Sequence, residues 1–151
     1  MVRIAMRALK VFLVLLAATA LAGPTVPPLN VTVSDESGKV VFKGVTNATG
    51  SFTTEKVKAG NYVVQFSSKT DDVKIHQYGL VVSAGSGKLA VHGIEGVRFT
   101  GVGVGMKLTV GVPINELLKN NPGLNNPAAI KAMERENREA KPITGQITVE
   151  H

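Results

Sequence analysis

Residues 101–112 carry the spacing best suited to contact a ligand. Apolar side chains occupy the even positions, on one face of a predicted β-strand: Val102, Val104, Met106, Leu108, Val110 and Val112. The opposite face is small or polar: Gly101, Gly103, Gly105, Lys107, Thr109 and Gly111. A face this bare suits close approach by a ligand such as a polysaccharide, and the same glycines would suit a strand bent over a sandwich edge. The candidate ligand contacts are Gly101, Gly103, Gly105, Lys107 and Thr109.

Histidine, serine and carboxylate residues supply the other reactive side chains. His92 and Glu95 lie three residues apart, but one imidazole and one carboxylate fall short of the three or four ligands of a zinc site. Ser86-Gly87-Lys88 lacks the spacing and following helix of a phosphate-binding loop, and a hairpin tip explains it better. No nucleophile has a local base, and the chain has no cysteine. We therefore expect no catalytic residues, no metal and no cofactor.

Residues 29–67 predict the framework that would position these side chains. Turn-forming residues at 35–38, 47–50 and 58–61 separate four runs in which apolar and polar residues alternate. Four short strands at spacings of about ten residues are typical of an antiparallel sandwich or barrel.

Glycine, aromatic and valine residues recur in this stretch in a fixed order: Val31, Val33, Gly38, Thr46, Gly50, Phe52, Gly60, Tyr62 and Val64. The order resembles the carboxypeptidase regulatory-like (transthyretin-like, prealbumin-type) domain, which recurs in many exported bacterial proteins. Ala59 departs from the pattern, since such domains often carry proline before the glycine. The resemblance covers residues 29–67 and implies a β-sandwich. It implies no active site, because the matched positions serve turns and packing.

Two enzyme groups with similar sandwiches test this resemblance for catalysis. Transthyretin-like hydroxyisourate hydrolases end in a Tyr-Arg-Gly-Ser type tail, whereas residues 148–151 here read Thr-Val-Glu-His. Intradiol dioxygenases bind iron through two tyrosines and two histidines. Residues of those types are present, without the His-x-His pair typical of that family: Tyr62, Tyr78, His76 and His92. A hydrolase or metal-dependent enzyme therefore stands as the second alternative function only.

Alternating residues predict further strands at 73–77, 80–83, 88–92, 102–112 and 143–150. In the first of these, Val73 and Ile75 should face inward. The second and third should form a hairpin around the glycine-rich residues 84–87.

A small helical insertion is predicted at about residues 113–141. Apolar spacing favours a short helix over 113–119, and Asn126 followed by Pro127 is a good N-cap and first-turn pair for a helix that runs to about residue 140. Its apolar surface is small, so it should be held weakly. The expected fold is all-β with this insertion, a transthyretin-like or Ig-like antiparallel β-sandwich of about seven to nine strands over residues 29–151.

Residues 1–22 read as a secretory signal peptide. Arg3, Arg7 and Lys10 precede an apolar run that ends in a small-x-small site, so cleavage is expected after Ala22. The alternative of a membrane anchor is disfavoured, because the uncharged run would form about 20 Å of helix against about 30 Å of hydrocarbon. A proline-rich leader, residues 23–28, should be extended and mobile.

The net charge limits the kinds of partner that we expect. Removal of the three signal-peptide cations from 17 Lys and Arg leaves 14 against 11 Asp and Glu, a net charge of +3 instead of +6. Nucleic acid is therefore not an expected partner, and cleavage would leave no stable membrane anchor. We expect a secreted or periplasmic, non-catalytic module with a structural or protein-interaction role in the cell envelope. Its partner would be an envelope or extracellular protein, and self-association through an edge strand is a further option.

A glycan or other small ligand on the glycine face of residues 101–111 is the first alternative. The composition counts against it, because stacking aromatic residues usually dominate sugar binding and the chain has no tryptophan and two tyrosines.

Overall fold

The computed structural model describes residues 25–85 and 87–151. These contain eight strands: β1 (Asn30–Asp35), β2 (Val40–Val45), β3 (Ser51–Val57), β4 (Gly60–Ser67), β5 (Gln77–Ala84), β6 (Gly87–Glu95), β7 (Val104–Val110) and β8 (Lys141–Glu150). Two α-helices lie between β7 and β8: α1 (Ile114–Asn120) and α2 (Pro127–Arg138). Short 3₁₀ helices cover Asp71–Ile75, Gly96–Phe99 and Pro122–Leu124. The predicted signal peptide and Ser86, at the predicted hairpin tip, lie outside the described residues.

The strands form two four-stranded antiparallel sheets. Sheet A has the order β2-β1-β4-β7, and sheet B has the order β3-β8-β5-β6. In the inner strands alternate side chains are buried between the sheets, as in β7, where every second residue from Val104 to Val110 is buried. The predicted all-β sandwich with a small helical insertion is confirmed.

The four strands predicted within residues 29–67 are present and become β1 to β4. Asp35 organises the first turn, because its Oδ1 accepts hydrogen bonds from the Ser37 and Lys39 backbone N–H groups. Asn47 does the same for the turn before β3. The local side-chain bonds explain why acidic and amide residues stand at these turns.

Two strand predictions were wrong in extent or type. Residues 71–75 form a 3₁₀ helix instead of a strand, so Val73 is buried but Ile75 is 75% exposed. Of the strand predicted over residues 102–112, only Val104–Val110, which is β7, forms. Gly103 before it and Gly111 after it have positive φ, which ends the extended conformation at both positions. Val102, predicted on the apolar face of that strand, is 82% exposed.

The leader was expected to be extended and mobile, yet Val26, one of its described residues, packs on the sandwich. Val26 is buried in the core, and its N–H donates to the Ala48 carbonyl at 3.3 Å. The apolar Val26 side chain therefore holds the segment that precedes β1 against the β2–β3 turn.

The helical insertion follows the prediction closely. The Asn126 side chain accepts from the Ala129 N–H at 2.9 Å, and Pro127 stands at the first helical position. No residue of α2 is fully buried. Instead, Asn137 binds Val112 twice: its Nδ2 donates to the carbonyl at 2.9 Å, and its Oδ1 accepts from the N–H at 2.7 Å.

Candidate functional site

The predicted ligand face on residues 101–109 is divided by the structure. Gly105, Lys107 and Thr109 share the exposed side of β7. Gly101 and Gly103 lie in the turn before it, with φ of +71° and +88°. A Cβ on Gly103 would collide with the Phe66 carbonyl oxygen, so that glycine permits a close backbone crossing. Gly101 and Gly103 therefore do not continue the exposed face of β7, and ligand contact by the five residues stays a prediction.

A polar groove nevertheless includes the remaining polar residues of that face. Ser34, Val63 and Lys107 form one row across β1, β4 and β7 in the strand register. The groove of about 610 Å³ extends over this row to Asn61 and Thr109. The Thr109 hydroxyl donates to Asn61 Oδ1 at 2.9 Å, which ties β7 to β4 at the groove wall.

Carboxylates from the β1–β2 turn form the opposite side of the groove. Glu36 Oε1 accepts from Asn61 Nδ2 at a long 3.4 Å. Hydrogen bonds from Ser37 and Lys39 lower the pKa of Asp35, so its carboxylate is ionised and serves the turn. The groove thus presents anionic groups on one side, the Lys107 ammonium on the other, and the Val63 side chain on its floor.

His92 pairs with a residue that the sequence spacing did not suggest. Its Nδ1 lies 2.6 Å from Glu150 Oε1, and the other carboxylate oxygen accepts from the Gly93 N–H at 2.7 Å. Both contacts pass over Gly79, where a Cβ would come within 2.7 Å of Glu150 Oε1. The hydrogen bond from His92 is the main cause of a lowered Glu150 pKa. This pair ties β6 to β8 across β5.

The four residues compared with an iron site do not share a face. Tyr62 lies in sheet A, where its hydroxyl donates to the Lys58 carbonyl at 2.7 Å. Tyr78 lies in sheet B, fully buried, and packs edge-on against Phe99 and against His76. Within residues 25–85 and 87–151, no three His, Asp or Glu side chains come close enough to hold a metal ion.

The most distinctive surface feature is the outer edge of β2, which the sequence did not single out. β2 is a terminal strand of sheet A. Three of the nine exposed large apolar side chains in the described residues lie on it: Val40, Val41 and Val45, exposed by 50%, 41% and 57%. An edge strand with free backbone groups and apolar side chains is a template for another strand.

The strand register shows which β2 residues have backbone groups facing the open edge. Thr46 N–H donates to the Leu29 carbonyl, and the pairing with β1 then advances through Gly44 opposite Val31 and Phe42 opposite Val33. Hydrogen-bonded pairs recur every second residue in an antiparallel ladder. Lys43 and Val45 therefore direct their N–H and C=O groups outward. Val41 is the extra residue of a β-bulge.

The fold and this surface define a two-sheet antiparallel β-sandwich with an open apolar edge. Comparisons with protein-family models, curated proteins and solved structures found no match. The carboxypeptidase regulatory-like resemblance of residues 29–67 thus stays a prediction. In the described part of the chain, neither α-helix has the length and apolarity needed to cross a bilayer.

Proposed function

We propose that this chain is an exported, non-catalytic interaction module of the cell envelope that binds a protein partner by strand addition to β2. The observation that carries the proposal is the combination, on one terminal strand, of outward backbone groups and three exposed valines. Strand addition uses main-chain hydrogen bonds for affinity and alternate side chains for specificity. Exposed apolar side chains on β2 would add burial energy of about 25 cal/mol per Å².

Two further elements of the proposal rest on sequence. The basic and apolar residues 1–22 support export, with cleavage after Ala22. The glycine and aromatic pattern of residues 29–67 supports kinship with the carboxypeptidase regulatory-like domain, and the turns that the pattern requires lie between β1 and β4.

A proline substitution at the open edge tests strand addition. Val45→Pro removes an N–H that faces the open edge and leaves the Gly44 N–H, which faces β1, in place. Proline restricts the backbone conformation of the residue before it, and Gly44 tolerates that restriction. The matched control, Val45→Thr, keeps the backbone donor and the β-branched shape. Both variants should be made in residues 23–151, and their thermal unfolding compared with the wild type to confirm folding.

The measurement is binding of linear peptides selected from a random displayed library. We expect selected peptides to bind the wild type and Val45→Thr, to protect the Lys43 and Val45 amides from hydrogen exchange, and to lose affinity for Val45→Pro by at least about tenfold. Equal binding to a folded Val45→Pro variant, or protection confined to other strands, would contradict strand addition.

The groove over β1, β4 and β7 favours a second candidate function, the binding of a glycan or other small polar ligand. Its volume of about 610 Å³ lies in the usual range for ligand sites, and its opposite sides carry groups of opposite charge. Glycan-array binding that is lost in Lys107→Ala and kept in the exposed control Lys131→Ala would support it. A ligand that binds Lys107→Ala with unchanged affinity would place the site elsewhere.

A further inference from the structure

We infer that the strand recognised by β2 is acidic at its centre, with the pattern apolar-x-Asp/Glu-x-apolar, and that it belongs to another protein instead of a second copy of this chain. The inference rests on the proposed strand addition and specifies the partner's chemistry. It comes from one residue, Lys43, and from its position between Val40 and Val45, since Asn30, Thr32 and Ser34 of β1 lie opposite Val45, Lys43 and Val40.

Lys43 is the sole charged residue within β2. Its side chain is exposed on the outer face of sheet A, and none of the ion pairs in the described residues includes it. Its side chain faces Thr32 of β1, a neutral residue, in the register. A strand added at the open side would place one residue directly opposite Lys43, where opposite charge stabilises and like charge destabilises an antiparallel pair.

The same register disfavours pairing between two copies of β2. In the three antiparallel self-pairings that overlap residues 40–45 most fully, Lys43 would face Lys43, Val40 or Val45 of the other copy. The first places two lysines directly opposite each other, with Cβ atoms about 5 Å apart, and the other two leave Lys43 without an opposite charge. The bulge at Val41 further limits pairing of the strand with itself.

A foreign strand satisfies all three positions at once. A carboxylate opposite Lys43 would form a cross-strand ion pair, and apolar residues two positions away on either side would cover Val40 and Val45. Side chains at the intervening positions would point toward the Phe42 side of the sheet. The pattern reads the same in both chain directions, so it does not depend on the direction of the added strand.

The test uses residues 23–151 and two synthetic ten-residue peptides that differ at one central residue, Val-x-Glu-x-Val and Val-x-Lys-x-Val. We expect the wild type to bind the Glu peptide about tenfold more tightly than the Lys peptide at low salt. Lys43→Glu should reverse the preference. Lys56→Glu, an exposed charge reversal on β3, should leave it unchanged. The preference should narrow as salt screens the pair over a Debye length of about 8 Å at physiological ionic strength.

Different outcomes of these binding measurements would contradict the acidic pattern and strand addition itself. A preference that survives Lys43→Glu overturns the acidic pattern, while loss of both peptides in Val45→Pro would still support strand addition. If neither peptide binds, or if both bind Val45→Pro as they bind the wild type, strand addition itself fails. A wild-type dimer in sedimentation that Val45→Pro dissolves would show that a second copy occupies the edge, which also overturns the inference.

Discussion

Single atoms explain why two tyrosines in the same core should respond differently to loss of their hydroxyl groups. The Tyr62 hydroxyl donates to the Lys58 carbonyl, whereas the Tyr78 hydroxyl is buried and has no hydrogen-bond partner among the described residues. Desolvation raises the pKa of both side chains, so each stays a neutral hydroxyl. A buried hydroxyl without a hydrogen-bond partner destabilises the folded state.

The first prediction compares Tyr78→Phe with Tyr62→Phe. Removal of the unpaired Tyr78 hydroxyl should leave the free energy of unfolding unchanged or raise it, by up to about 1–2 kcal/mol, because a buried polar group without a partner is costly. Removal of the Tyr62 hydroxyl should lower it by about 1 kcal/mol. Denaturant titration measures both, and a Tyr78→Phe variant less stable than Tyr62→Phe would show that the Tyr78 hydroxyl has a partner.

The second prediction concerns acid stability. The His92 hydrogen bond lowers the Glu150 pKa below its ordinary value of 4.5, so the carboxylate form is favoured in the folded state. Its contribution to stability is therefore complete above pH 4.5 and is lost as the pH falls through the lowered pKa. Glu150→Gln removes this dependence, so it should lose less unfolding free energy than the wild type between about pH 7 and about pH 3.

Denaturant titrations at both pH values measure the difference. Glu95→Gln is the control, because in the described residues Glu95 forms no ion pair. A Glu150→Gln variant that loses as much stability on acidification as the wild type would show that the contact with His92 does not form in solution.

Among the elements, α2 is attached to the sandwich by few contacts. Its side chains are half-buried or exposed, and the two hydrogen bonds between Asn137 and Val112 substitute for the strand pairing that ends at Val110. Lys141 adds an ion pair to Glu136 at 3.0 Å. Gly111 permits the contact between Asn137 and Val112, because a Cβ on residue 111 would come too close to Asn137 Oδ1.

The third prediction follows from this attachment. Asn137→Ala should increase hydrogen exchange across Pro127–Arg138 by about tenfold, because local opening no longer costs two hydrogen bonds. Exchange in β1, β4 and β5 should stay unchanged, since their packing does not depend on α2. Arg138→Ala is the control: its ion pair with Glu134, at 3.8 Å, is exposed and should contribute little. Equal exchange in the wild type and Asn137→Ala would show that other contacts hold the helix.

Local chemistry predicted the elements better than the surfaces they form. The turns at Asp35 and Asn47 and the cap at Asn126 depend on bonds within a few residues, so the sequence displays them. The β2 edge depends on strand order, and the His92–Glu150 contact joins residues 58 positions apart. Neither leaves a local pattern. The glycines at 101 and 103 led to a predicted strand that was too long. Period-two spacing alone does not distinguish a strand from a turn that contains two positive-φ glycines.

For the whole molecule, the proposed export would determine where the open edge meets a partner. The fourth prediction is that the chain expressed with residues 1–22 in a bacterial host is recovered outside the cytoplasm, with Gly23 as its first residue. Intact-mass measurement and amino-terminal sequencing identify the cut. Replacement of Ala20 and Ala22 by bulky residues should block cleavage, because the peptidase site accepts small side chains. Recovery of uncleaved wild-type chain from the cytoplasm would contradict the prediction.

The position of β8 affects how the molecule can be made. This strand follows the other seven in the chain, yet it pairs with β3 on one side and β5 on the other, so sheet B has no continuous ladder until residues 141–150 join it. During synthesis, β3 and the β5–β6 hairpin emerge before β8, the strand that lies between them in sheet B. A nascent chain therefore completes sheet B only after residues 141–150 have left the ribosome, and the long sequence separation between β3 and β8 should make this step slow.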